Sequence, residues 1–467
     1  MTIMKNIHIA QAFKALMVMM AMLLASCSSD QDIPDINNGR EEGMNAKVNI
    51  RLSSSIPTTK APGDPEWTDG EVGENMKSYI VVITDNSNII KKVLQKSLDA
   101  ESKQADLGNV ELAGGTYNFY SFANISGIAF TEGNTFDESM TYSSKALAFN
   151  TDASLKAVGI PMSNKQTITV TSGTTDIDLY TIRMMAKLEF QIKNETGQEV
   201  EISKISVSDI TEDADGNILI LPKYNGASEY APKTACLPNL NASASYSDYS
   251  HTLSPSVTIA DNGTSTLSFY VNESQARSPL YHVITIDMNY SGKSVQQRYA
   301  MLDWQYIARN DWRVIPITLT DYAFQCDVEA FTAIGVLPIV TSAYNSLSVT
   351  FNGTYGEFHI KPSLKKLSDG TVIEYDPTGT DNTKWHFPSD IFESDNTLVS
   401  SLREDNVDDP SAPSSLTSIL STELTWTPST KYFEAYMTPY KGYALRTLKV
   451  RLPGGKEMKY KIQLTKE

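Results

Sequence analysis

Between Met44 and Ser53 the chain alternates without a break for ten residues: Met44, Ala46, Val48, Ile50 and Leu52 fall on one side, and Asn45, Lys47, Asn49, Arg51 and Ser53 on the other. Period two over that length predicts a β-strand with one face buried. A strand of this kind cannot stand alone, so the rest of the chain must supply the sheet that receives it. Directly after it, Ser54-Ser-Ile-Pro-Thr-Thr-Lys60-Ala-Pro-Gly-Asp-Pro-Glu66 is rich in Ser, Thr and Pro and has no apolar period. That composition predicts an exposed loop, the usual place for proteolytic nicking.

Short β segments split by turn residues continue to the C-terminus. Tyr79–Ile83 breaks at Asp85-Asn86, Gly114-Gly115 precedes Tyr117–Phe122, and Gln166–Val170 and Ala186–Ile192 alternate and end near Gly173 and Asn194. Ile202, Ile205 and Val207 precede a turn at Asp213–Asn217, after which Ile218–Leu221 resumes as a strand. Only Asn86–Leu98 and Thr135–Phe149 read as helical. Many strands at turn-bounded spacing predict stacked β-sandwiches. At about 100–200 residues per domain, 467 residues leave room for two to four of them.

The N-terminus reads as an address. Lys5 and Lys14 lie in a stretch without acidic residues, and the apolar run that follows, Ala15–Ser26, has 12 residues. This is shorter than the roughly 20 needed to span a bilayer as a helix, so residues 1–26 are expected to be a removed signal segment. Leu24-Ala25-Ser26-Cys27 resembles a bacterial lipobox, which makes Cys27 the expected acyl acceptor. Several acyl chains on one thiol hold firmly, since each buried CH₂ contributes about 0.8 kcal/mol. Ser28–Asp35 is polar and acidic, as a flexible tether is, and resembles the surface-export stretch of Bacteroidales lipoproteins.

Charge and motifs exclude several classes. Thirty-nine Lys and Arg against 55 Asp and Glu give a formal charge of −16, which repels nucleic acid phosphates. Three Cys cannot build a disulfide framework; Cys236 and Cys326 could pair in an oxidising compartment, while Cys326, alternating with Phe324 and Val328, reads as a small buried apolar residue. Ser291-Gly-Lys-Ser294 lacks the earlier P-loop glycine, whose place is taken by Asp287, and reads as a hairpin turn. Asp213-Ala-Asp-Gly-Asn217 has Ile218 where a calcium loop needs Gly and reads as a β-turn. His251, His282, His359 and His386 never fall at metal-ligand spacing. No paired-carboxylate or nucleophile motif stands out, so neither an enzyme, a metal nor a cofactor is expected.

Taken together, the ordered segments resemble the fimbrillins, or type V pilins, of Bacteroidales. The resemblance is carried by the lipobox and first strand, by Thr59-Lys60-Ala61-Pro62-Gly63-Asp64, by Leu112–Asn124 and Gly159–Met162, by Arg183-Met-Met-Ala-Lys-Leu-Glu-Phe190, and by Ile307–Leu319 followed by Phe324–Phe331. It covers most of residues 20–334. It implies an all-β chain of tandem transthyretin- or immunoglobulin-like sandwiches. The implied layout is signal peptide 1–26, acidic tether and removable first strand 27–60, fimbrillin-like sandwiches 61–182 and 183–334, and an appended immunoglobulin-like sandwich 335–467.

The same resemblance implies a life history. An outer-membrane lipoprotein reaches the cell surface, a trypsin-like surface protease cuts between Lys60 and Ala61, the first strand leaves, and a strand of another pilin subunit fills the groove that Val48, Ile50 and Leu52 had plugged. The appended region, beyond where shaft fimbrillins stop, favours a tip or accessory subunit in adhesion, meeting a host or glycan ligand. The alternative from another class is a surface-anchored carbohydrate-binding lipoprotein whose platform would be Tyr355, Trp385, Phe387 and Trp426. Lys449, Arg451, Lys456, Lys459, Lys461 and Lys466 of the terminal hairpin read either as a contact for an acidic partner or, more simply, as the solvated face of an edge sheet.

Overall fold

The computed structural model describes residues 45–54, 71–226, 235–277, 281–302, 304–333, 339–351, 356–393, 424–437 and 442–466. Cys27, Lys60, Ala61 and Tyr355, with the signal segment and tether, lie outside the described residues. By its contacts the chain divides into Met1–Asn45 and Ala46–Glu467, and all packing below concerns the second part.

The fold is all-β and built of sandwiches, as the turn-bounded spacing predicts. The first holds β1 (Asn45–Ser54), β2 (Met76–Thr84), β3 (Ile90–Ser102), β4 (Gln104–Ala113), β5 (Gly115–Ala123), β6 (Met162–Val170) and β7 (Asp176–Arg183), with helices α1 (Ala146–Phe149) and α2 (Ala153–Val158) between β5 and β6. These strands form one sheet in the order β3-β2-β5-β6-β7-β1-β4. It turns a corner where β6 meets β7 through the pairs Met162↔Arg183 and Ser163↔Ile182. The two halves therefore face each other, and Val48, Ile50 and Leu52 share one core with Val81, Ile83, Phe119, Val110 and Leu112.

The second sandwich holds β8 (Met185–Glu195), β9 (Val200–Thr211), β10 (Lys223–Tyr224), β11 (Cys236–Leu237), β12 (Tyr246–Ile259), β13 (Thr264–Asn272), β14 (Ser274–Gln275), β15 (His282–Tyr290), β16 (Lys293–Met301), β17 (Tyr306–Ile307) and β18 (Trp312–Thr320). Its sheets β12-β9-β15-β16 and β13-β8-β18 enclose a core of Leu188, Phe190, Ile192, Ile205, Ile284 and Ile317 among others. The third holds β19 (Tyr322–Ala333), β20 (Ile339–Ala343), β21 (Ser346–Phe351), β22 (Gly356–Lys366), β23 (Val372–Ile373), β24 (Leu424–Thr427), β25 (Tyr432–Met437), β26 (Gly442–Arg451) and β27 (Glu457–Lys466). Sheets β19-β22-β25-β24 and β20-β21-β27-β26 close on one another around Phe324, Phe358, Ile360, Tyr460 and Ile462. Among the described strands each sandwich contains one parallel pair: β1 with β7, β8 with β18, and β21 with β27.

Three local expectations change. Asn86–Leu98 is not helical; Ile90 onward is the edge strand β3, antiparallel to β2. Its apolar residues Ile90, Val93, Leu94 and Leu98 match a helical period, but sheet pairing along β2 overrides so weak a preference. Lys91, Lys92 and Lys96 suit an exposed edge, where charge discourages further strand pairing. Within Thr135–Phe149 only α1 is helical. Phe324–Phe331, expected to close the second sandwich, instead pairs with β22 from Tyr322↔Lys366 onward. The chain changes sandwich at Asp321, whose carboxylate accepts from Ser368 N and Oγ at 2.9 Å each.

Other turns follow local chemistry. Ser291 and Gly292, at φ 52° and 72°, join β15 to β16 as the two-residue turn with both central residues left-handed, which is the hairpin reading of that motif. Asp213 holds no calcium-type loop: its carboxylate accepts from Leu147 N at 3.4 Å and Ala148 N at 2.9 Å at the start of α1.

Phe324 is fully buried and meets Trp385 and Tyr460 edge-on, at 5.4 and 4.9 Å between ring centroids. Phe324→Ala is expected to destabilise the third sandwich by about 3–5 kcal/mol. Urea unfolding followed by Trp fluorescence measures this; an unchanged transition would mean that β19 does not belong to that core.

Candidate functional site

In the sheet order β1 lies between β7 and β4, so both of its edges are paired. Against β7 it runs parallel, with Asn49↔Asp176, Ile50↔Ile177, Arg51↔Asp178, Leu52↔Leu179, Ser53↔Tyr180 and Ser54↔Thr181. Asn49 N donates to Thr175 O, and Ser54 N to Lys103 O on the other flank, both at 2.8 Å. The inward residues Val48, Ile50 and Leu52 are 0% exposed and Ala46 is 3% exposed. Full burial of a side chain of this size contributes about 1.5–3 kcal/mol, so the inward face holds β1 by several kcal/mol. β4 ends the order, and among the described residues β1 is its sole strand neighbour. Taking β1 away would therefore strip backbone partners from β7 and β4 together and open an apolar groove between them.

The outward face of β1 is polar. Arg51 Nε meets Asp178 Oδ1 at 2.8 Å, and Asn49 Nδ2 reaches Asp176 Oδ1 at 3.4 Å. Arg51 and Ser53 line an open cleft of about 530 Å³ with Gln104, Ala105, Asp106, Asp178 and Tyr180. The hydrogen bond and charge of Asp178 raise the basicity of the Arg51 guanidinium, and Asp176 and Asp106 add to it.

Where the described chain resumes at Glu71, it is pinned to the second sandwich. Lys187 Nζ lies 2.7 Å from Glu74 Oε1 and 3.1 Å from Glu71 Oε1, and Tyr270 Oη donates to Glu74 Oε1 at 2.5 Å. Arg183 Nε donates to Glu74 O at 2.9 Å. Gly73 sits at φ +96°, where a Cβ would come within 2.6 Å of Lys156 O, so the strap passes where a side chain would not fit. Burial works against the charge of Glu71, yet Lys187 and Tyr270 outweigh it and hold that carboxyl below its ordinary range. Burial, then Glu74 and Glu71, push the Tyr270 phenol well up.

Arg183 and Lys187, four apart on the Arg-x-x-x-Lys segment that opens the second sandwich, thus anchor the chain downstream of β1. Sequence reading found the segment but not this role, because its partners lie over a hundred residues away in the chain. Deeper still, Arg309 and Glu273 form an ion pair with both side chains 0% exposed. Arg309 also donates to Ile220 O at 2.9 Å and Leu219 O at 2.7 Å. Ile218–Leu221, expected as a strand, is instead tied through single bridges to Thr141 and Leu240, and it covers Phe122, Phe136 and Met184 of the first sandwich.

Other candidates resolve differently. Cys236 and Cys326 form no disulfide and are buried in separate clusters, Cys326 in the third core. Among the described residues no group of three His, Cys, Asp or Glu could hold a metal ion. Burial pulls His282 below the usual histidine range, with Nδ1 2.8 Å from Ser208 O. Trp385 and Phe387 are 2% and 9% exposed and pack edge-on with each other, while Trp426 lies against Phe387 and Phe433. They fill the third core and make no exposed platform. On the terminal hairpin, Lys449 pairs with Asp390, Arg451 with Glu457, Lys456 with Glu195 and Lys459 with Glu393.

No family model and no curated protein matches the chain. Among solved structures it is similar to a candidate cell adhesion protein of Parabacteroides distasonis, at 13% identity over 62% of this chain and 89% of that one, with a TM-score of 0.37. It is also similar to the tip fimbrial protein Mfa3 of Porphyromonas gingivalis with a C-terminal truncation, at 11% identity, 61% and 96% coverage and a TM-score of 0.34. A fimbrial assembly protein of Parabacteroides distasonis matches at 11% identity, 70% and 98% coverage and a TM-score of 0.34.

The strap at Glu71 should respond to acid. With its folded pKa lowered from 4.5, Glu71 contributes stability that is fully present above that value and is lost as pH falls through the lowered folded value. Urea midpoints between pH 3 and 7 are expected to show a shallower acid loss in Glu71→Gln than in the parent chain. Identical profiles would mean that Lys187 does not hold this carboxylate.

Proposed function

We propose that the chain is a fimbrial subunit, of tip or accessory type, that matures by losing β1 and then accepts an extended strand from another subunit. The observation that carries this reading is β1 itself: an interior strand with both edges paired and its inward face fully buried, joined to the rest of the chain through a segment that contains Lys60. Ordinary sandwiches keep such a strand. Its excision makes sense where the vacated groove is to be filled by another polypeptide, since main-chain pairing then supplies affinity and alternate side chains supply specificity.

In this reading Cys27 carries the lipid that brings the precursor to the outer membrane, and a trypsin-like protease cuts between Lys60 and Ala61. Arg51 is the less suitable site because it sits within a paired strand. The pinning of Glu71 and Glu74 supports a local excision, in which the chain after the cut stays in place. A terminal position is supported by β27. Its Tyr460, Ile462 and Leu464 are buried in the third sandwich and both of its edges are paired, by β21 and β26. That strand is occupied at home, so the chain offers a groove but not β27.

N-terminal sequencing with intact mass, on protein sheared from the native cell surface, tests the proposal. A mature N-terminus at Ala61 in filament-sized material is expected, with Lys60→Gln left uncut and membrane-bound. A chain that still begins at acylated Cys27 and never leaves the membrane would refute it. In cut protein freed of β1, hydrogen exchange is expected to rise across β4, whose strand neighbour has gone; protection unchanged there would argue against removal of β1.

A further inference from the structure

We infer that the groove under β1 selects its incoming strand by charge: it takes an extended polypeptide segment, apolar at alternate positions, that carries a basic residue at the outward position Arg51 now holds. This rests on the strand replacement proposed above and adds which strand can enter.

The inward face cannot discriminate much. Ala46, Val48, Ile50 and Leu52 ask for small-to-medium apolar side chains at period two, and this demand is common to strands of any sandwich. Discrimination must therefore come from the outward face, where the walls are acidic. β7 contributes Asp176 and Asp178, and β4 contributes Asp106. Among the described residues lining the cleft, Arg51 is the sole cation. When β1 leaves, its guanidinium leaves with it, and three carboxylates remain along the rim.

An entering strand with a basic residue there restores the Arg51–Asp178 geometry, 2.8 Å between Nε and Oδ1. An acidic residue at that place would lie between carboxylates on both walls. Exposed ion pairs add little affinity, so the rim acts mainly by exclusion, as like charges suppress wrong partners more effectively than opposite charges reward right ones. The exclusion matters for a chain of net charge −16, because much of the surface that such chains present to one another is acidic. The rim selects sign, while the apolar face fixes register only to within two residues. A slip of two residues would bring the cation from Asp178 to Asp176, whereas a slip of one would turn the apolar face outward.

The test uses the full chain cut after Lys60 and freed of β1, with the cut and the loss of β1 verified by N-terminal sequence and intact mass and the protease removed. Three synthetic peptides spanning Asn45–Ser54 serve as probes: the native sequence, Arg51→Gln and Arg51→Glu. Each competes with fluorescent native peptide for the groove. The expected order of affinity is native, then Gln, then Glu, with about tenfold between the ends at low salt. In 1 M NaCl, where the Debye length shrinks to about 3 Å, the spread should nearly vanish. Asp178→Lys in the protein should reverse the order. Equal affinity of the three peptides at low salt, or a spread that survives 1 M NaCl, overturns the charge inference and leaves strand replacement standing. If no peptide of any charge enters the cut protein, strand replacement itself fails, and the inference falls with it.

Discussion

Among the described residues, strand β1 is the element that joins β7 to β4 in one sheet. β7 and β4 turn their backbone edges toward it from opposite sides, and the core of the first sandwich turns its apolar surface toward it from below. Backbone donors and acceptors facing each other across an empty strand width cannot pair, because neighbouring strands must lie about 4.8 Å apart to bond. The first sandwich is thus complete only with a tenant in that position. The backbone pairing and apolar burial that hold β1 there are non-covalent.

The described chain that resumes after β1 is held by contacts of its own. Glu71 and Glu74 are fixed by Lys187, Arg183 and Tyr270, groups that belong to the second sandwich or its threshold. Arg309 and Glu273 fix the segment from Leu219 to Ile220 against the first sandwich in the same manner. Buried charge is a poor source of net stability, but breaking one half of such a pair costs about 3–5 kcal/mol, so these contacts define one arrangement sharply. Arg183 and Lys187 sit where they do because β7 and β8 are nearly continuous in sequence, from Arg183 to Met185. A strand running from one sandwich into the next carries buried cations to the boundary.

Sequence periodicity was informative where one face of a strand is buried and the other wet. β1, β8 and the terminal hairpin are of that kind, and so is the groove face of Val48, Ile50 and Leu52. It misled at β3, an edge strand exposed on most of its length, where no burial imposes period two and the spacing of Ile90, Val93, Leu94 and Leu98 is incidental. It misled again at Phe324–Phe331, whose alternation says that one face is buried but not against which sheet. The aromatic residues of the third sandwich show the same limit: Trp385, Phe387 and Trp426 would read alike on a binding platform or in a core, and only packing distinguishes them.

By itself the sequence determined that the chain is a series of β-sandwiches, that one strand near its start alternates apolar and polar residues ahead of a segment rich in Ser, Thr and Pro, and that stability must come from apolar burial, with too few cysteines for a disulfide framework. Those properties are written in residues close together along the chain. Only the tertiary structure decided that β1 lies inside the sheet, that it runs parallel to β7, that β4 depends on it, and that Asp176, Asp178 and Asp106 share its outer rim. Each of these joins residues separated by some 50 to 130 positions. The physical reason is that a strand's own sequence specifies which of its faces is apolar, while its edges are backbone, identical in every residue, and carry no record of the neighbour they will meet.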